Sequence, residues 1–223
     1  MSNYLISLNQ FADFSRATEN GKKRIVAQQL RPDKLKITWY QTPKARVKKY
    51  FELHGDINPI KDGINALMKK VPRNKKGEND RRTSIEALER FVEMNLPSIL
   101  KEVNYTVIKP KSKIVAISEV DVKVAPEIII KGTFEGKTVF GAVKIHISKN
   151  KPFDLKRSQF VASIIYKYLK DTMAKDNEIV LPELCFCLDI FGGRIVSAPD
   201  NIDAINVEIV NICNDIKRVF NAA

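Results

Sequence analysis

Apolar positions recur in two regimes, and the period changes near residue 104. Before that point the spacing is helical. Leu5, Leu8, Phe11, Ala12 and Phe14 predict a helix within residues 4–30. It continues through KKRIVAQQL, with Glu19-Asn20-Gly21 as the expected interruption. Arg31-Pro32-Asp33 breaks the pattern, and KLKITWY (34–40) alternates as a short strand or an extended link would. Thr42 is suited to cap a helix with Pro43 at its first position. That helix has Val47, Tyr50 and Phe51 on its apolar side, Lys44, Lys48 and Lys49 on another, and a stop near Gly55. Asn58-Pro59 opens a further helix, with Ile60, Ile64, Leu67 and Met68 facing inward. VPRNKKGENDRRT (71–83) is dense in charge and nearly free of apolar residues, which predicts a flexible basic loop. Ser84 is then the expected cap of a helix with Ile85, Leu88, Phe91, Val92 and Leu96 buried, bent or interrupted at Pro97.

Beyond residue 104 the pattern turns strand-like. Segments 105–109, 113–124, 126–134 and 137–147 are rich in Val, Ile, Thr and Phe, and GTFEGKT joins the last two as a hairpin. Residues 153–173 predict an amphipathic helix with Phe160, Ile164, Tyr168 and Leu169 on one side. Residues 183–199 read as a second hairpin turning at Gly192-Gly193, and a last helix covers about 202–221. The expected fold is mixed α/β. A basic, mainly helical region (1–82) precedes a core (83–223) ordered helix, three to four mostly antiparallel strands, helix, hairpin, helix.

Charge sharpens this division. The formal net charge is +12. Residues 1–82 hold 19 Lys+Arg against 8 Asp+Glu, which is +11; residues 83–223 hold 19 against 18, which is +1. A positive field gathered on one part of a chain favours a polyanion, and nucleic acid, DNA first, is the expected partner. The plainer alternative is a solvated face that aids solubility. Lys22, Lys23, Arg24, Lys44, Lys48, Lys75, Lys76, Arg81 and Arg82 are the candidate phosphate contacts. Trp39, Tyr40 and Tyr50 lie among them and could stack on unpaired bases or fill a core.

Other classes fall away. A hydrophobic fraction of 44% supports a packed core. No apolar run approaches the roughly 20 residues of a membrane span, so no membrane partner is expected. MSNYLISLNQ lacks the pattern of a secretory leader, and the expected location is cytoplasmic. Cys185 and Cys187, two apart in a strand, read as small core residues, and no His or Cys spacing suits zinc. His54 sits at a helix end, where the dipole favours it.

One arrangement carries candidate chemistry. Pro126-Glu127 opens a strand, Lys144 sits within the next (GAVKIHI), the polar link SKNKPFD follows, and Gln159 then lies on a helix with Tyr166 farther along. Over roughly residues 84–200 this order resembles the PD-(D/E)XK nuclease superfamily, in particular its RecB-like branch. Pro126-Glu127 stands where the family has Pro-Asp, and Lys144 where it has the lysine of acid-x-Lys. Gln159 and Tyr166 resemble a loosened Gln-x-x-x-Tyr motif. The resemblance implies Mg²⁺ held by two carboxylates, polarising the scissile phosphate and activating water, with Lys144 steadying that water and Gln159 positioning the bound strand.

Position 142 departs from the pattern: it is alanine where the family has an acid. Glu127 with the Val143 carbonyl is a thin ligand set, so a second acid would come from Glu119 or Asp121, or from Glu102. Glu135 belongs to the turn, and Asp154 is the sole acid in the 153–170 helix, at its start. His146 shares the face of Lys144 and with it makes a patch suited to phosphate, or else it is an ordinary strand histidine. Three functions follow as expectations. The first is a nucleic-acid binder that is catalytically impaired and needs no cofactor. The second is a Mg²⁺-dependent deoxyribonuclease with a relocated carboxylate. The third is a scaffold subunit of a DNA-processing or phage-defence complex.

Overall fold

Two sheets of mixed strand direction and seven α-helices make up the described residues of the computed structural model, 4–31 and 39–223. The larger sheet runs in the order β2 (Asn104–Ile108), β5 (Ile128–Phe134), β6 (Lys137–His146), β7 (Ile179–Asp189), β8 (Arg194–Ser197). β2, β5 and β6 are antiparallel neighbours, β6 and β7 are parallel, and β8 returns antiparallel to β7. A parallel pair cannot be joined by a tight turn. The crossover between β6 and β7 is helix α6 (Leu155–Thr172), started by Asp154, whose carboxylate accepts from Arg157 N at 2.8 Å. The smaller sheet has the order β1 (Tyr4–Ser7), β4 (Val120–Lys123), β3 (Ile114–Ile117), with β1 parallel to β4.

Strand alternation sends the two faces of the large sheet into separate cores. Ile129, Ala142, Cys185 and Cys187 pack with α6, the small sheet and the helices α1 (Leu8–Phe14), α2 (Glu19–Leu30) and α7 (Asp203–Asn221). Ile128, Ile130, Val143, Ile145, Phe186 and Leu188 pack with α3 (Gln41–Glu52), α4 (Asn58–Lys69) and α5 (Lys75–Val92). Both cores are layered on one sheet, so its strand ends lie between the two groups of helices.

The mixed α/β expectation holds, as do both hairpins, α6 and the buried faces of Phe160, Ile164, Tyr168 and Leu169. The buried cysteines are core residues, as their spacing implied. Several elements differ. Tyr4–Ser7 is a strand, because Tyr4 to Ser7 find a partner in Val120 to Lys123 that no local period reveals. The break after α1 falls before Glu19, since Thr18 caps α2 by accepting from Gly21 N at 3.3 Å, and Gly21 lies inside the first turn. α3 starts at Gln41 after a left-handed Tyr40 (φ +61), so Thr42 is not its cap. Met68 is exposed on α4.

The largest difference concerns residues 71–83, expected as a loop. α5 begins at Lys75, with Asn74 Oδ1 accepting from Gly77 N at 2.9 Å, and runs without a break across residues 82 and 83. Its first turns face solvent, so they need no apolar stripe, and an N-cap with helix-forming Lys, Glu and Arg suffices. Ser84 is consequently buried mid-helix. The expected strand 113–124 is a hairpin, turned by Ser118 and Glu119 at φ +48 and +68. Pro97 is followed by a 3₁₀ turn, Ser98–Lys101. Residues 34–38 of the KLKITWY segment lie outside the described residues.

Candidate functional site

Glu127 sits one residue before β5. Its N–H donates to Val143 O at 3.2 Å, which extends the β5–β6 ladder and places its side chain beside Lys144. The Lys144 ammonium donates to Ala125 O at 2.8 Å and to Glu127 Oε1 at 3.3 Å. Ala125 holds φ +41, in the left-handed region, which turns the chain at Pro126 and keeps its carbonyl within reach of Lys144. Lys44 of α3 approaches the same Oε1 at 2.7 Å, and Ile145 N–H donates to Oε2 at 2.9 Å. The side chains of Lys144, Glu127 and Lys44 are 10%, 17% and 29% exposed, so this is a largely dehydrated cluster of two ammoniums and one carboxylate.

Its electrostatics follow from that burial. Burial alone would raise the Glu127 carboxyl, but Lys144, Lys44 and the Ile145 N–H outweigh it and hold the group below the usual carboxylate range. Burial lowers the Lys144 ammonium below the usual lysine value, opposed by Glu127 and reinforced by Lys44.

Position 142 is fully buried, flanked in register by Ile129 and Cys185. It contributes a methyl group where a second carboxylate would be needed. Cys187 lies in register with Lys144 on β7, its thiol against the Ser158 hydroxyl of α6 and driven far above the usual range by burial. Gln159 is half-buried on α6 and makes no hydrogen bond to Glu127 or Lys144. Tyr166 packs against the core on the α6 side.

The two candidate second acids belong to the smaller sheet. Glu119 is at the exposed β3–β4 turn, where its Oε2 accepts from Lys217 at 2.7 Å. Asp121 lies on β4 opposite Leu5 and Ala116. Glu102 is exposed after the 3₁₀ turn, and Glu135 is in the β5–β6 turn as expected. Among the described residues no group of three or more His, Cys, Asp or Glu could hold a metal ion. The Mg²⁺ that the nuclease resemblance implies does not fit here. Oε1 of Glu127 is met by two ammoniums, Oε2 by a backbone N–H, and the side chain at position 142 offers no oxygen.

His146 ends β6. Its ring stacks on Phe153 at 3.6 Å between centroids, and Nε2–H donates to Lys151 O at 2.9 Å. Burial favours the neutral ring and lowers its value, against the opposing pull of the Lys151 carbonyl and Asp189. Asp189 faces it in register from β7 and escaped the sequence reading. It is fully buried, and its oxygens accept from Phe153 N at 2.6 Å and Gly192 N at 3.1 Å. An acid inside the apolar run ELCFCLDIF was the available signal. Burial raises the Asp189 carboxyl above its usual value, opposed by His146 and the two N–H groups.

Beside this cluster lies a cleft of about 550 Å³, lined among others by Trp39, Tyr40, Lys44, His146, Lys149 and Asn150. Lys76 of α5 stands over the Trp39 ring, 5.5 Å from its centroid. Lys149 was not among the expected contacts; its ammonium is 2.5 Å from Glu86 Oε2 and about half-exposed. A second cavity, about 510 Å³, is lined by Lys75, Arg81 and Arg82, and Asn79 borders both. Arg81 donates to Lys70 O at 3.1 Å and Arg82 to Asn79 Oδ1 at 3.4 Å. The remaining expected contacts lie elsewhere. Lys22 is bound to Asp215 at 2.7 Å and Glu19 at 3.0 Å, while Lys23 and Arg24 are exposed on α2. Lys48 lies 3.9 Å from Glu52. The fold thus gathers Lys44, Lys75, Lys76, Arg81 and Arg82 around adjoining hollows and leaves the α2 cations apart from them.

Compared with family models and with curated proteins, the chain matches none of them. The fold itself defines a mixed α/β protein with two mixed sheets, and among the described residues no helix is long and apolar enough to cross a membrane.

Proposed function

We propose that the chain binds nucleic acid, DNA in the first instance, through a nuclease-like site that holds phosphate without cutting it. The observation that carries this reading is the cleft at Lys44, where one buried and one half-buried ammonium face one carboxylate and an aromatic platform, Trp39 under Lys76, stands at the rim. The local charge is positive, suited to phosphate oxygens, and Trp39 offers a face to an unpaired base. The proposed contacts are to phosphates and to the face of a base, not to base edges, so weak sequence preference follows. The buried methyl group of Ala142 supports the loss of catalysis, because hydrolysis of the implied kind needs a second carboxylate there.

The test combines binding and cleavage. Labelled single- and double-stranded DNA are titrated with the protein in EDTA over a range of salt concentrations. Binding is expected to weaken steeply with salt, and Lys149→Ala and Lys76→Ala are each expected to reduce the salt slope by about one. Plasmid incubated with Mg²⁺ or Mn²⁺ is expected to stay intact. Cleavage abolished by both Lys144→Ala and Glu127→Ala would replace this reading with a metal-dependent deoxyribonuclease. Absence of binding to free DNA, with a large partner co-purifying, would replace it with a scaffold subunit.

A further inference from the structure

We infer that Lys44 is a built-in substitute for a divalent cation: its ammonium occupies the coordination position at Glu127 that a metal ion would otherwise take. Three contacts carry this. Lys44 Nζ lies 2.7 Å from Glu127 Oε1, closer than Lys144 at 3.3 Å, and Oε2 is held from the other side by Ile145 N–H at 2.9 Å. Both oxygens of the carboxylate are therefore directed at donors supplied by the chain. A divalent ion would have to eject Lys44 and then sit beside Lys144, which is pinned by Ala125 O at 2.8 Å and cannot swing clear without losing that bond. Two like charges so close in a dehydrated pocket repel strongly.

The arrangement is built by the fold, not by neighbours in sequence. Lys44 comes from α3, whose apolar side, Val47 and Phe51, is anchored in the core beneath the opposite face of the large sheet. That anchoring fixes the helix that carries Lys44, so the ammonium is delivered to Glu127 from a helix and not from a loop. Lys144 belongs to β6 and the carboxylate to the lead of β5, so three separate elements converge on one oxygen.

Metal exclusion at Glu127 can be tested without any nucleic acid. Thermal unfolding of the full chain near pH 7 is followed in EDTA, Mg²⁺ and Mn²⁺. Wild type is expected to melt at the same temperature in all three. Lys44→Glu places a second carboxylate where the ammonium was. It is expected to lower Tm by roughly 10 °C in EDTA. Mn²⁺ should restore most of that loss, and the restoration should vanish in Lys44→Glu combined with Glu127→Gln. A Mn²⁺-dependent rise in wild type that Glu127→Gln abolishes would overturn the inference, because the seat would then be open. Lys44→Glu that gains nothing from Mn²⁺ would overturn it as well. Should Lys44→Glu fail to fold, Lys44→Met decides. It is expected to lose roughly 5 °C near pH 7, and the loss should shrink only as the pH falls below the usual carboxylate range, through the depressed value at which Glu127 takes up its proton. An unchanged Tm for Lys44→Met would overturn the inference.

Discussion

The Lys144 ammonium bonds both Ala125 O, at 2.8 Å, and Glu127 Oε1, at 3.3 Å, and so clamps the Ala125-Pro126-Glu127 turn onto β6. Glu127 in turn is, among the described residues, the only carboxylate that Lys144 and Lys44 share. Replacing it by glutamine leaves two ammoniums in a dehydrated cluster with no counter-charge. Glu127→Gln is expected to lower stability by about 3 kcal/mol in urea denaturation at neutral pH. Lys144→Met leaves Glu127 paired with Lys44 and is expected to cost less, about 1–2 kcal/mol. The reverse order would show that Lys144, not Glu127, organises the cluster.

His146 should make the fold sensitive to mild acid. Its value in the fold lies below the ordinary one because burial against Phe153 disfavours the charged ring. Between the folded value and about 6.5 the unfolded chain therefore takes up a proton that the fold refuses. Stability from this group is present above about pH 6.5 and falls as the pH drops through that window. Asp189 works in the opposite sense: its carboxyl is raised by burial, so the fold takes a proton earlier than the unfolded chain and gains as pH falls. Lys44 and Asp13 also act on the ring, the first against its charge and the second for it. The histidine contribution is isolated by difference. Between about pH 7 and pH 5, wild type is expected to lose more stability than His146→Phe, which keeps the stacking and removes the titration. Parallel curves would assign the acid sensitivity elsewhere.

The three cysteines should be silent toward thiol reagents in the native state. Cys185, Cys187 and Cys213 are buried, burial pushes all three thiols up, and Cys213 rises to about 12. Reaction needs the thiolate and access, and neither is available. Labelling with an aromatic disulfide is expected to follow the global unfolding rate, with all three sites reacting together. Rapid modification of Cys187 alone would mean that the Ser158–Cys187 contact opens locally.

How much of this was legible in the sequence depends on how local each cause is. The β5–β6 hairpin was readable because Glu135-Gly136 is a two-residue turn with both residues at positive φ, +48 and +74. α6 was readable because its buried stripe has the helical period. The nuclease resemblance implied that Glu127 and Lys144 serve one site, and the two side chains do meet, at 3.3 Å. β1 was not readable, because its partner β4 lies more than a hundred residues away and YLIS fits a helical stripe equally well. The first turns of α5 carry charge on a solvated face, and low apolar content was misread as absence of structure. Lys44 was singled out for phosphate, yet its bond to Glu127 spans 83 residues of sequence and rests on how α3 packs. Asp189 was missed because its partners are backbone N–H groups at Phe153 and Gly192, which leave no residue-type signature.

The register that presents Lys144 depends on a glycine. β6 and β7 slip between Phe140, opposite Val180, and Ala142, opposite Cys185, and Gly141 lies at that irregularity. A Cβ at Gly141 would stand 2.3 Å from Leu184 Cβ and 2.7 Å from Leu184 O. Relief requires the two strands to part at the point where the parallel ladder restarts, just before Lys144 and Cys187 come into register. Gly141→Ala is expected to cost about 3 kcal/mol, at the upper end for overpacking, because the clash is partly with backbone. Gly136 provides the comparison. It sits at φ +74 with nothing within 4 Å of its would-be Cβ, so Gly136→Ala should cost only the left-handed backbone penalty, about 1 kcal/mol. Both variants are measured by urea denaturation at neutral pH. Close packing across the slip predicts the larger loss for Gly141→Ala, and equal losses would leave the register of Lys144 without its proposed support.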